Sequence, residues 1–110
     1  MTQDGSKRKL AAILSADVEG YSRLMDDDEA ATVRTLTSYR TAISDLVQQY
    51  GGRVVDSPGD NILAEFKSVV DAVNCAVEIQ GDLAERNADL PDERKMQFRI
   101  GVNLGDVIDE

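Results

Sequence analysis

Asp17 closes the apolar stretch Leu10-Ala-Ala-Ile-Leu-Ser-Ala-Asp17, and Asp60 stands in Asp56-Ser-Pro-Gly-Asp60-Asn-Ile-Leu-Ala-Glu-Phe66. Both carboxylates fall at the ends of predicted β-strands, near glycines that let backbone approach a ligand closely. Mg²⁺ is commonly held by one or two carboxylates together with substrate phosphates, so the pair suggests one metal site and nucleotide chemistry. The competing reading is that one carboxylate caps a turn and the other is solvated. With no histidine and a single cysteine, a His-based catalytic dyad, a mixed Cys/His zinc site and an internal disulfide are all excluded. Cys75 reads as a helix-packing residue.

The chain has 110 residues, 42% of them hydrophobic, enough for one core and one domain. A net charge of −9 with no long run of Lys or Arg argues against DNA, RNA or anionic membrane as an electrostatic partner. A polyanionic substrate would need metal ions. No segment has the apolar length of a signal peptide or a bilayer span, which predicts a soluble, cytoplasmic chain.

These residues need elements to position them. Leu10 to Val18 predicts a buried strand that ends at Glu19-Gly20. Asp26 with Glu29 suggests a capping box, and Val33, Leu36, Tyr39, Ile43, Leu46, Val47 and Tyr50 recur at helical spacing until Gly51-Gly52. Arg53 to Val55 and Asn61 to Phe66 flank the turn formers Ser57-Pro58-Gly59 and predict a hairpin with Asp56 and Asp60 at its tip. Ser68 and Asp71 cap a second helix, whose stripe is read as Val69, Val73, Ala76, Val77 and Leu83. A polar loop from Asn87 to Arg94 follows. Met96 to Asn103 predicts a strand with Phe98 and Ile100 on one face, and Gly105 introduces a short extended piece. Residues 1–8 are expected to be a flexible N-terminus and 9–110 the domain.

This order, βαββαβ, predicts an α+β, ferredoxin-like split βαβ core with an antiparallel sheet. In such a sheet the end of the first strand meets the start of the third, so Asp17 and Asp60 become neighbours. Two carboxylates that close repel each other unless a cation binds or a proton is kept.

At this point the chain resembles the class III nucleotide cyclases, the adenylate and guanylate cyclase catalytic domains. The resemblance rests on three stretches in order: Asp17-Val18-Glu19-Gly20-Tyr21-Ser22, Gly52-Arg53-Val54-Val55-Asp56-Ser57-Pro58-Gly59-Asp60, and Phe98-Arg99-Ile100-Gly101-Val102-Asn103-Leu104-Gly105-Asp106-Val107-Ile108. It implies conversion of ATP or GTP to a 3',5'-cyclic monophosphate and pyrophosphate at a dimer interface, in intracellular signalling. Asp17, Asp60 and the Val18 carbonyl would hold two Mg²⁺ or Mn²⁺ ions. The turn Glu19, Gly20, Tyr21 and Ser22 would cradle phosphates at the start of a short helix, with Tyr21 read as a packing residue. Arg99 reads equally as a phosphate contact or a solvated strand residue.

The chain departs from the family at two places. Asp56 stands where adenylate cyclases carry an adenine-reading lysine and guanylate cyclases a glutamate. It could accept from guanine, or it could only stabilise its own turn. The family's domain also continues past the position of Glu110, to a second base-reading residue and to the asparagine and arginine that act in the transition state. No catalytic residue of that kind is located here, so the chain is expected to be an inactive fragment of a longer cyclase. It is also expected to form a homodimer or an exchanged-element oligomer. The alternatives are a non-catalytic cyclase module for dimerisation or regulation, and a palm-type diguanylate cyclase or polymerase relative. The absence of a Gly-Gly-Asp/Glu-Glu-Phe hairpin counts against the diguanylate cyclase.

Overall fold

The computed structural model describes residues 7–109, and the surroundings of side chains from Leu10 to Asp106. Most of the segment expected as a flexible N-terminus, residues 1–6, lies outside the described residues, whereas Lys7 and Arg8 already belong to the first strand. The strands are β1 (Lys7–Val18), β2 (Arg53–Asp56), β3 (Ile62–Phe66) and β4 (Phe98–Asp109), and the helices α1 (Tyr21–Asp27), α2 (Glu29–Gln49) and α3 (Val69–Asn87). A short 3-10 turn, Asp92–Arg94, precedes β4. The sheet runs in the order β2-β3-β1-β4 with every neighbouring pair antiparallel, as the split βαβ reading requires.

The alternation of the strands explains which face is covered. Ala12, Leu14, Ala16 and Val18 of β1 and Ile62, Ala64 and Phe66 of β3 are buried, and they share a core with α2 and α3. Their odd-numbered neighbours Ser15 and Asp17 are more exposed and point to the other face, away from the core shared with α2 and α3. Among the described residues no helix is long and apolar enough to cross a membrane.

Three expectations are corrected. The cap of α2 is Asp28 rather than Asp26, its Oδ1 accepting from the Ala31 amide at 3.1 Å. Tyr21 to Asp27 form a helix of their own around buried Leu24, so Asp26 is spent inside it, and the chain first turns extended at Asp28. On α3 the Ser68 cap is found, its Oγ accepting from Asp71 at 3.3 Å, and of the expected stripe Leu83 is buried and Ala76 packs against the core, but the three valines point away. Val69, Val73 and Val77 are 42%, 45% and 68% exposed, while Ala72, Cys75, Ile79 and Leu83 face the sheet. Val33 of α2 is likewise exposed. Finally, β4 does not break before Gly105. That glycine pairs with Ala11 in one continuous ladder, and a side chain there would come within 3.4 Å of Ile13 Cγ1.

A buried polar clamp sets where β4 enters the sheet. The Tyr39 hydroxyl donates to Asn87 Oδ1 at 2.7 Å, the Met96 amide donates to the same oxygen at 3.0 Å, and Asn87 Nδ2 donates to the Met96 carbonyl at 2.9 Å. Gln80 Nε2 adds a bond to the Phe98 carbonyl at 2.9 Å. The clamp joins α2, α3 and the start of β4, and so decides which β4 residue stands opposite Asp17.

Candidate functional site

Gly51 and Gly52 end α2 in a Schellman pattern. The Gly51 amide donates to the Gln48 carbonyl at 3.0 Å and the Gly52 amide to Val47 at 2.9 Å. Gly51 takes φ 78°, and Gly52 then passes so close to β3 that a Cβ would sit 2.6 Å from Phe66 Cε2. The chain runs out along β2 and returns through a tight turn in which Gly59 has φ 58° and the Asn61 amide donates to Pro58 at 2.9 Å. Ser57 Oγ donates to the Asn61 carbonyl at 3.2 Å. That turn directs Asp60 back toward β1.

The register brings the two aspartates together as expected. Ala16 pairs with Ile62, so the residues before β3 lie beside the end of β1, and the Val18 amide donates to Asp60 Oδ2 at 3.2 Å. Asp60 therefore sits against the peptide that follows Asp17. On the opposite side Asp17 pairs in register with Arg99. The guanidinium grips it as a fork, Nε to Oδ1 at 3.1 Å and Nη2 to Oδ2 at 3.0 Å. The Asp17 hydrogen bonds and charge push the Arg99 pKa up, and the charges of Glu19 and Asp60 act in the same direction. Among the described residues, then, the cation that answers the carboxylates is an arginine. The sequence left Arg99 between a phosphate contact and a solvated position; the structure gives it Asp17.

The turn Glu19 to Ser22 leads into α1. The Glu19 amide is bonded to the Gln97 carbonyl at 2.8 Å, Gly20 takes φ 66°, and the first helical bond runs from Leu24 to Gly20 at 3.1 Å. No side chain caps α1, so the amides of Tyr21, Ser22 and Arg23 lack helical acceptors. Tyr21 packs against the core, in line with its reading as a packing residue, and Ser22 is exposed. A cleft of about 470 Å³ beside the turn is lined by Glu19, Gly20, Arg23, Asp92, Lys95 and Gln97, and it does not include Asp17 or Asp60.

Asp56 ends β2 after an irregularity between Val54 and Asp56, and is exposed. Its Oδ1 accepts from the Ser57 amide at 2.8 Å, the contact of the turn-stabilising reading. One residue had no signal in the sequence. Arg40 of α2 reaches across to the Ser57 carbonyl with Nη2 at 3.3 Å, while its Nε is buried with no partner among the described residues.

The donors that Asp17, Asp60 and the Val18 carbonyl could offer are all oxygen, the type that Mg²⁺ and Mn²⁺ take, with Asp17 already bonded to Arg99. No group of three or more His, Cys, Asp or Glu that could hold a metal is found among the described residues. The protein would thus supply part of a coordination shell and leave the rest to phosphate and water.

The family model of the adenylate and guanylate cyclase catalytic domain matches residues 5–110. A curated protein of Rhizobium meliloti (strain 1021), named "Putative adenylate cyclase 3", is 45% identical over 111 residues, covering 100% of this chain and 19% of that protein. A crystal structure of an adenylate/guanylate cyclase/hydrolase from Silicibacter pomeroyi superposes with a TM-score of 0.84 at 40% identity, covering 96% of this chain and 62% of that one. The guanylyl cyclase Cya2 superposes with a TM-score of 0.82 at 27% identity, covering 96% and 58%. The chain thus spans about a fifth of the curated relative and under two thirds of these solved chains.

Proposed function

The chain belongs to the adenylate and guanylate cyclase catalytic domain family, and we propose that it supplies the metal- and phosphate-binding half of a nucleotide cyclase centre. The observation that carries this reading is the Val18 amide bonded to Asp60 Oδ2, which sets both aspartates at one end of β1. In the reaction the ribose 3'-oxygen attacks the α-phosphorus of ATP or GTP. A new P–O bond closes the cyclic phosphodiester as the bond to the β-phosphate oxygen breaks, and pyrophosphate leaves while the 3'-hydroxyl proton passes to solvent. Divalent cations at such a site polarise the hydroxyl and neutralise the triphosphate.

Asp17, Asp60 and the Val18 carbonyl hold the cations in this proposal, and the uncapped amides after Gly20 receive phosphate oxygens. Arg99 is near enough to the same strand end to take part. Asp56 is the candidate base reader, and the face of the sheet away from the core, with Ser15, Asp17 and Gly101 on it, is the surface toward a second subunit. The nucleoside triphosphate substrate suits a cytoplasmic location. Turnover is assigned to the whole protein, since this chain spans under two thirds of the solved cyclase chains it matches.

A specific observation favours a second reading for the base. Asp56 spends an oxygen on the Ser57 amide, so base choice can lie elsewhere and the hairpin tip then serves only as structure. The test is calorimetric titration of the chain with GTP and with ATP in Mn²⁺, repeated on Asp17→Asn and Asp56→Ala. Metal-dependent binding lost in Asp17→Asn is expected. GTP preference lost in Asp56→Ala assigns the base to Asp56, and its persistence assigns the base elsewhere. A longer form that makes cyclic nucleotide unchanged with Asp17→Asn would refute the site.

A further inference from the structure

We propose that Arg99 is a resident counter-cation of Asp17, one with which a divalent ion must compete for the Asp17 carboxylate. The inference rests on the reading of Asp17 and Asp60 as cation ligands, and it concerns the order of events at that site.

The two aspartates are not equivalent. Asp60 gives Oδ2 to the Val18 amide at 3.2 Å, which leaves Oδ1 directed away from that bond. Asp17 has both oxygens engaged, at 3.1 and 3.0 Å, by one planar fork. A carboxylate gripped in this way has one lone pair of each oxygen and much of its charge taken by the guanidinium, whereas a carboxylate that accepts one amide keeps its other oxygen unengaged. The pairing is built into the fold rather than chosen by a wandering side chain. Asp17 and Arg99 are direct partners in the β1–β4 register, and both lie on the face opposite the helix-packed core. Glu19 and Asp60 are close enough to act on the same guanidinium, so one positive charge serves several carboxylates.

The direction of the effect follows from charge. A divalent ion entering beside Asp60 meets a fixed positive charge and competes with it for Asp17. Removing the guanidinium takes away both the competitor and the repulsion. Arg99 is a positioning residue in this scheme: it acts through Asp17. The Asp17–Arg99 pair is partly solvated, the side chains being 36% and 65% exposed, which keeps its strength in the range of exposed ion pairs. Releasing such a pair is worth about a two- to fivefold change in an equilibrium constant.

The experiment is Mn²⁺ titration of the 110-residue chain without nucleotide, read from the loss of the free-ion electron paramagnetic resonance signal. Wild type, Arg99→Gln, Asp17→Asn and the double variant are compared, and thermal melting checks that each folds. Arg99→Gln is expected to bind about two- to fivefold more tightly, with the gain absent in the double variant. A gain of affinity cannot come from a folding defect. If Asp17→Asn weakens binding but Arg99→Gln leaves it equal or weaker, the metal reading stands and the counter-cation proposal is overturned. If Asp17→Asn binds like the wild type, or none of the folded chains binds Mn²⁺, the metal reading fails and takes the proposal with it.

Discussion

Gly52→Ala tests the idea that a close backbone approach, rather than the carboxylates themselves, sets the site's geometry. An added Cβ would lie 2.6 and 2.7 Å from Phe66 Cε2 and Cδ2 and 2.9 Å from the Glu65 carbonyl oxygen. Ordinary contacts of that kind begin near 3.4 Å, so the ring or the strand must yield by nearly an ångström. The ring cannot swing freely, because Phe66 is 2% exposed and belongs to the central core. Overpacking of this sort costs about 1 to 3 kcal/mol, and the carbonyl contact places Gly52→Ala at the upper end. Gly51→Ala is the control. Its φ of 78° strains any side chain, but nothing lies within 4 Å, so about 1 kcal/mol is expected. Urea unfolding of both variants measures the difference. Phe66→Leu in the Gly52→Ala background should recover part of the loss, giving a coupling energy of about 1 kcal/mol. If β2 and β3 separate, the loop bearing Asp60 shifts, and Mn²⁺ affinity falls along with stability. A Gly52→Ala protein as stable as wild type, or one no worse than Gly51→Ala, would refute the reasoning.

Asn87→Ala should cost about 3 to 5 kcal/mol in urea unfolding, because the Tyr39 hydroxyl and the Met96 amide and carbonyl all lose a buried partner. Tyr39→Phe removes one bond of the three and should cost about 1 kcal/mol. Burial raises the Cys75 thiol from 9.0 to about 11, so its folded form keeps the proton that the unfolded chain gives up. That contribution is complete below pH 9.0 and is lost as pH rises to about 11, with a limiting slope of about 1.4 kcal/mol per pH unit that disappears in Cys75→Ala. Asp60→Asn keeps an acceptor for the Val18 amide at 3.2 Å, so stability should change by less than about 1 kcal/mol while Mn²⁺ affinity drops about tenfold; a folded Asp60→Asn that binds normally would remove Asp60 from the site.

The order of the elements, and with it the meeting of the β1 end with the hairpin, was legible in the sequence, as were the local signals. The Ser68 cap, the Gly51-Gly52 stop and the Pro58-Gly59 turn each rest on a residue type whose backbone chemistry acts within a few positions. Three aspartates in a row, Asp26, Asp27 and Asp28, can all cap a helix. The choice between them is made by Leu24 entering the core and by Thr32, whose hydroxyl oxygen lies 2.8 Å from the Leu24 and Asp28 carbonyls and accepts from Arg94 at 2.7 Å. On α3 the valines and the set Ala72, Cys75, Ile79 and Leu83 share one period and differ only in phase. With apolar residues in both phases, periodicity alone does not choose the one that meets the sheet. Arg99 stands 82 residues from Asp17, and its role appears only once β4 is in register.

The end of β1 explains why such a site needs a carboxylate from the hairpin. Successive amides of a strand point to alternate sides, so the Glu19 amide bonds to β4 through Gln97 while the Val18 amide points toward β3. The β3 ladder stops at the Ala16–Ile62 pair, which leaves the Val18 amide without a backbone acceptor. Asp60 supplies one from its side chain, so the ladder's last rung is a carboxylate. A hydrophobic residue at position 60 would leave a polar group unsatisfied at the strand end. Asp60 is thereby held in place by the fold with one oxygen to spare, and Asp17 is held by a charge that another cation can replace. Fold and chemistry meet at the Val18 peptide, and the two aspartates differ in what binding a metal would require each of them to give up.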